Sequence, residues 1–332
     1  MKKKLLLIPL ALLLALSLVA IGCPATPTPP SPPARAIDAI VSTQWLEDNI
    51  DKPDLVILDV REPDCYTAGH IPGSVHFPAF PNWCVNSPFG EEWPWMELPE
   101  DDALFTTIGN AGITADSTVV VIARTVDSPS LGPAPYGVTM AARAAVTLIY
   151  AGVENVTMLD GGYAKWAAEG RATSTEPVTP TAVTYTGVVD ETIFVSKDYV
   201  EDKVGKSSLV DTREADMYYG IEQDPSSERA GHIPTAKNLP APWFWDITVD
   251  EAGVTTYMTW KDTSAISEIA LTVLGEDGDE EIIVYCGVGG YASPVWYVLT
   301  QVVGYRNVKF YDGSMQEWTA DPEAPVAKYK YE

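Results

Sequence analysis

Basic residues are scarce in this chain. Its 332 residues hold 21 lysines and arginines against 46 aspartates and glutamates, a formal charge of −25 and an isoelectric point near 4.3. A field of that sign repels nucleic acid and anionic membrane surfaces, so a nucleic-acid role is excluded. Cysteine is also sparse, with Cys23, Cys65, Cys84 and Cys286 making up all four. Charged residues reach only 20% while hydrophobic residues reach 46%, which supplies packed cores and argues against global disorder. The length suits two domains of ~150 residues.

The one long apolar run is Leu5 to Gly22, behind Lys2, Lys3 and Lys4. A basic start followed by an apolar stretch is the grammar of a secretory signal. The run ends Ala20-Ile21-Gly22-Cys23, which resembles a bacterial lipobox, with Ala20 where Leu is more usual. Residues 1–22 are therefore expected to be a lipoprotein signal peptide and Cys23 the lipidated residue. An uncleaved membrane anchor is the alternative, because 18 apolar residues just span a bilayer. Cleavage would take the net charge to −28 by removing three lysines. Six prolines between Pro24 and Ala34 make residues 23–36 an extended tether. The expected location is extracytoplasmic, lipid-anchored to the cell envelope, on the periplasmic or the outer face.

From Ile37 onward the chain lies over itself. Asp59-Val60-Arg61-Glu62 repeats as Asp211-Thr212-Arg213-Glu214, and Asp160-Gly161 with Trp166 repeats as Asp312-Gly313 with Trp318, both at an offset of 152. Gly69-His70-Ile71-Pro72 repeats as Gly231-His232-Ile233-Pro234 at 162, so the second copy carries about ten extra residues near Gly220 to Glu228. Ordered matches over this length indicate duplicated domains. Apolar runs at Leu55 to Leu58, Val119 to Ile122, Leu209-Val210 and Ile282 to Tyr285 suit buried strands, and Met140 to Tyr150 and Pro294 to Val303 suit helices. This alternation predicts α/β domains with parallel-type sheets. The expected domains are residues 37–171 and 191–332, joined by a Thr- and Pro-rich linker at 172–190.

In the second copy Ile282 to Tyr285 runs directly into Cys286-Gly287-Val288-Gly289-Gly290-Tyr291-Ala292, and Ser293-Pro294 suits a helix start. Glycines allow successive N–H groups to converge as a nest, and a following helix adds its positive end. Such a setting is expected to lower the pKa of Cys286 and favour the reactive thiolate. The alternative is a buried core cysteine.

These motifs together resemble the tandem-domain rhodaneses, the thiosulfate and 3-mercaptopyruvate sulfurtransferases, from residue 37 to residue 320. The resemblance implies two rhodanese-like domains, each a mainly parallel five-stranded sheet flanked by helices. It implies a nucleophile in the second domain only, and Ala123 stands where the first copy would hold it. The implied reaction is a double displacement. Cys286 takes a sulfane sulfur from a small anionic donor, thiosulfate or 3-mercaptopyruvate, and passes it to cyanide or a thiol. Gly287, Val288, Gly289, Gly290, Tyr291 and Ala292 would cradle the persulfide, Arg213 would contact the donor's anion, and no metal or organic cofactor is implied. Phosphatases of the same fold have a longer loop ending in Arg, whereas Ala292 stands here. The loop has no basic residue and is nearer the mercaptopyruvate pattern, with Val288 and Tyr291 replacing hydroxyl residues and Tyr219 replacing a second arginine. Arg229 in the inserted segment is a candidate substitute, with a solvated charge as its alternative.

Residues present in both copies are harder to assign to chemistry. His70 and His232, Arg61 and Arg213, and Asp59 and Asp211 recur in the copy without a nucleophile, which favours structural roles for the histidines and aspartates. Cys65 and Cys84 are either a disulfide or two separate thiols. Trp83, Trp93, Trp95, Trp243, Phe244 and Trp245 are expected in core or interdomain packing, with Trp243 or Trp245 as candidates for the active-site mouth. Glu276 to Glu281 lacks calcium-loop spacing and suits a solvated acidic turn. The competing function is a non-enzymatic sulfur or selenium carrier, or a scaffold lipoprotein serving an envelope protein complex.

Overall fold

A computed structural model describes residues 30–31, 35–85, 96–130 and 132–328. The expected signal peptide, Cys23, most of the tether, Trp93 and Trp95 lie outside the described residues. Among the described residues, no helix is long and apolar enough to cross a membrane.

Two five-stranded sheets carry the chain. The first contains β1 (Ile40–Val41), β2 (Leu55–Asp59), β3 (Val75–His76), β4 (Thr118–Ile122) and β5 (Asn155–Leu159), in the order β1-β5-β4-β2-β3. The second contains β6 (Phe194–Val195), β7 (Ser208–Asp211), β8 (Lys237–Asn238), β11 (Ile282–Tyr285) and β12 (Val308–Tyr311), in the order β6-β12-β11-β7-β8. Every pairing in both sheets is parallel. Identical strand orders confirm the duplication, and the expected flanked parallel sheets are present. Strands β4 and β11 read as unbroken apolar runs because helices cover both faces of a parallel sheet, and all four residues of β11 are buried.

Local signals repeat as well. Ser42 caps helix Thr43–Asn49 by accepting from Trp45 N at 3.0 Å, and Ser196 caps helix Lys197–Lys203 by accepting from Tyr199 N at 3.4 Å. The hairpin β9 (Trp245–Val249) and β10 (Thr255–Trp260) was not among the sequence expectations. Its turn is set by Asp250, whose Oδ1 accepts from Ala252 N and Val254 N at 2.9 Å each, and by Gly253 at φ +80°.

The domains meet across helix Ala134–Tyr150 and the helical stretch Ala292–Tyr297, which winds on as a π-helix over Val298–Val303. Tyr297 Oη donates to Ala39 O at 2.6 Å, tying the second domain to the first domain's sheet edge. The seam also contains an exchange. Asp160 Oδ1 accepts from Trp260 N at 2.9 Å, and Asp312 Oδ2 accepts from Leu98 N at 2.8 Å. Each carboxylate is the other's counterpart, and each binds the other domain's main chain. Asp160 is further paired with Lys165 at 2.6 Å, half-buried, whereas Asp312 faces the fully buried Arg143 of the first domain, with Nη2 at 2.9 Å. Burial, and then the nearby Asp312 carboxylate, push Glu97 beside this pair up to about 10, so Glu97 holds its proton at neutral pH.

Candidate active site

Cys286 follows the last residue of β11 at the carboxyl edge of its sheet, where open α/β sheets place ligands. Its loop turns its carbonyls away from the sulfur. Met315 N and Gln316 N donate to Cys286 O and Gly287 O at 3.0 Å each, and Ser293 donates through N to Gly290 O and through Oγ to Gly289 O. The N–H groups of Val288 and Ala292 are thereby left to hydrogen-bond the sulfur. Gly289 stands at φ +84°, a backbone conformation that favours glycine.

The expected depression of the Cys286 pKa is not found. Burial of a thiol that is 2% exposed pushes it up, the two N–H groups pull it down, and the Asp224 and Asp211 carboxylates push it up again. The balance lies above the ordinary cysteine value. The loop restrains a rise instead of producing a low pKa, because the sequence displays the donors but not the depth or the acid beside them.

Arg213 is locked in place with one donor spare. Its Nε and Nη2 donate to Asp211 Oδ1 and Oδ2 at 3.0 and 2.5 Å, and Nη2 also to Gly231 O at 2.7 Å. Nη1 is buried without a hydrogen-bond partner, 3.7 Å from Asp224 Oδ2, and Arg213 lines the same pocket as Cys286. Arg61 makes the same clamp to Asp59 and Gly69 O, but its guanidinium lies 4.0 Å over the Tyr163 ring. His70 and His232 are buried, stacked on Tyr66 and Tyr218, and bonded through Nδ1 to those residues' carbonyls. Neither histidine lines the pocket.

The inserted segment supplies residues that sequence reasoning missed. Asp224 and Ser226 line the pocket, and Asp224 Oδ2 sits so close to the loop that a Cβ on Gly287 would fall 2.3 Å from it. Arg229 from the same segment is neither solvated nor in the pocket. It donates to Ala324 O at 2.8 Å and Asp321 O at 2.6 Å, fastening the end of helix Ser314–Ala320. Met217, not Tyr219, reaches the pocket from helix Ala215–Tyr219. Trp243 is exposed, and Trp245 is buried edge-on to Tyr291 at 6.3 Å, so both stand outside the pocket lining. Cys65 and Cys84 are separate free thiols, Cys84 being fully buried and pushed up to about 12 by that burial.

The pocket has a volume of about 660 Å³ and opens between the domains. The first domain supplies half of its lining, including Glu62, Phe80, Met96, Tyr136 and Met140. Among the described residues, no cluster of three or more His, Cys, Asp or Glu is placed to hold a metal.

These features define a two-domain α/β protein with one buried cysteine in a pocket that both domains line. Rhodanese-like domains match residues 42–169 and 196–321, so the chain belongs to the rhodanese family with two such domains in tandem. A Mycobacterium leprae protein provisionally named a thiosulfate sulfurtransferase is 30% identical over 300 residues, covering 87% of this chain and 97% of that one. The sulfur carrier protein TtuD of Thermus thermophilus is 32% identical over 313 residues, covering 88% and 97%. Among solved structures, the anaerobic ergothioneine biosynthesis enzyme of Chlorobium limicola, in complex with trimethyl histidine, has a TM-score of 0.70 at 25% identity, covering 88% of this chain and 71% of that one.

Proposed function

We propose that this protein is a sulfurtransferase in which Cys286 carries a sulfane sulfur as a persulfide, taken from thiosulfate or 3-mercaptopyruvate and given to cyanide or a thiol. The observation that carries the reading is the placement of Cys286 beneath the N–H groups of Val288 and Ala292, in one pocket with Arg213, whose Nη1 makes no hydrogen bond. Arg213 Nη1 binds the donor's anionic end. The Cys286 thiolate attacks the donor's outer sulfur, and the electron pair of the broken bond leaves with sulfite or pyruvate enolate. The persulfide is more acidic than the thiol, so the loop N–H groups hold an anion once sulfur is loaded. The protein acts outside the cytoplasm, anchored through lipid on Cys23.

The test is intact mass of the full-length protein after thiosulfate, and separately after 3-mercaptopyruvate. A gain of one sulfur (~32 Da) is expected at Cys286, removed by the acceptor. Cys286→Ser abolishes both loading and turnover, and retention of activity in that variant refutes the reading. The kinship to a sulfur carrier and the absence of cations within the loop favour a second reading, in which the protein loads once and delivers to a partner in the envelope. Steady-state turnover with a free acceptor separates the two.

A further inference from the structure

The pocket is much larger and more apolar than either proposed donor requires. Pockets of several hundred Å³ enclose organic molecules of many atoms, whereas thiosulfate and mercaptopyruvate are small anions. Phe80, Met96 and Met140 form the wall from the first domain, and Met217, Pro225 and Val288 form the wall from the second. Thioethers adapt to varied apolar shapes, and three of these six residues carry one. The polar groups are concentrated near the sulfur. Arg213 Nη1 makes no hydrogen bond there and lies 3.7 Å from Asp224, whereas the other guanidinium in the lining, Arg124, donates through Nη1 to Val126 O at 2.6 Å and Gly132 O at 3.2 Å. Glu62, Glu214 and Asp224 also face the cavity, which opposes any occupant with several negative charges.

We propose that the sulfur acceptor is an organic thiol with an apolar body of about six carbons or more, held along the wall that the two domains build together. This rests on the sulfurtransferase reading and names the substrate class of its second half. The acceptor enters as its thiolate, having lost its proton to solvent, with its body against the Met and Phe side chains. It attacks the outer sulfur of the Cys286 persulfide. A new sulfur–sulfur bond forms to the acceptor, the bond to Cys286 Sγ breaks, and its electron pair restores the Cys286 thiolate. The product is the acceptor's persulfide anion, and no oxidant or reductant is consumed. The first domain, without a nucleophile, thereby sets the specificity.

The experiment loads the full-length protein with thiosulfate, or with 3-mercaptopyruvate if thiosulfate does not load, removes the donor, and follows unloading by mass. Ethanethiol, butanethiol and hexanethiol, of similar acidity, are compared with 2-mercaptoethanol and cyanide. The unloading constant is expected to rise roughly three- to fourfold per added methylene, about a hundredfold across the series. Met140→Gln flattens that slope, read as the ratio of hexanethiol to cyanide rates. A second measurement needs neither a variant nor sulfur transfer: N-hexylmaleimide should alkylate Cys286 faster than N-ethylmaleimide after normalisation to free cysteine. A flat thiol series with normal cyanide unloading overturns the apolar acceptor and leaves sulfur transfer standing. Equal maleimide rates overturn the apolar wall as a binding surface. Failure to load from either donor overturns the sulfurtransferase reading and this inference with it.

Discussion

The two domains share strand order, helix caps and an aspartate-held arginine, and they differ at the loop that holds Cys286 in the second. In the second domain the strand runs into Cys286, and the clamped Arg213 keeps Nη1 without a hydrogen bond in the pocket, 3.7 Å from Asp224. In the first domain the strand runs into Ala123, and the equivalent Arg61 lies over Tyr163. Tyr163 corresponds to Met315 in the second copy, so a ring covers the guanidinium in one copy and a thioether replaces it in the other. The comparison separates what the fold needs from what the reaction uses. The Asp-Arg clamp belongs to the fold, and under the proposed function the cysteine and Arg213 Nη1 belong to the reaction.

The largest expected effect comes from trying to make the silent copy work. Ala123→Cys in a Cys286→Ser background should leave transfer at least about a thousandfold below the unmodified protein, because the new thiol lacks the glycine loop and the anion contact. A steady-state assay with thiosulfate and cyanide checks this, and recovered turnover would dissolve the division between the copies. The arginines sharpen the division. Arg61→Gln and Arg213→Gln each strand a buried carboxylate, Asp59 or Asp211, and should each cost roughly 3–5 kcal/mol of stability by denaturant titration. Only Arg213→Gln should also slow loading by the donor.

The exchanged carboxylates are a graded version of the same comparison. Asp312→Asn leaves the fully buried Arg143 without its counter-charge and should cost roughly 3–5 kcal/mol. Asp160→Asn exposes only the half-buried Lys165 and should cost roughly 1 kcal/mol. Melting temperatures of the two variants decide the order. The smallest effect concerns pH. Alkylation of Cys286 should still be climbing above the ordinary cysteine pKa, since its thiol is pushed up. Asp224→Asn removes a carboxylate that disfavours the thiolate, so the profile should move to lower pH and alkylation at pH 7 should quicken several-fold. An unchanged profile would show that Asp224 does not set this cysteine.

Much of this architecture was legible from residues. The offsets of 152 and 162 located the duplication, and the apolar runs at Val119 and Ile282 located the central strands, because a covered parallel sheet leaves no alternation to misread. Cys286 and its loop were legible because strand, glycines and helix are contiguous in sequence. Asp224, Met217 and the first-domain wall were not, since their closeness to the sulfur arises from folding of distant segments. The same limit explains the pKa error: donors are local and visible, whereas depth is a property of the whole fold. Hairpin Trp245–Trp260 escaped because β9 is mostly exposed and β10 only half-buried, without the buried runs that mark the sheets.

The exchange of Asp160 and Asp312 across the seam bears on inheritance. The first domain has Ala123 where the second has Cys286, so the copies have diverged at that loop. At the seam they remain joined: the first domain's Leu98 main chain and Arg143 complete the Asp312 carboxylate of the second, and the second domain's Trp260 completes the Asp160 carboxylate of the first. A change on either side of the seam therefore falls on a group that both domains share.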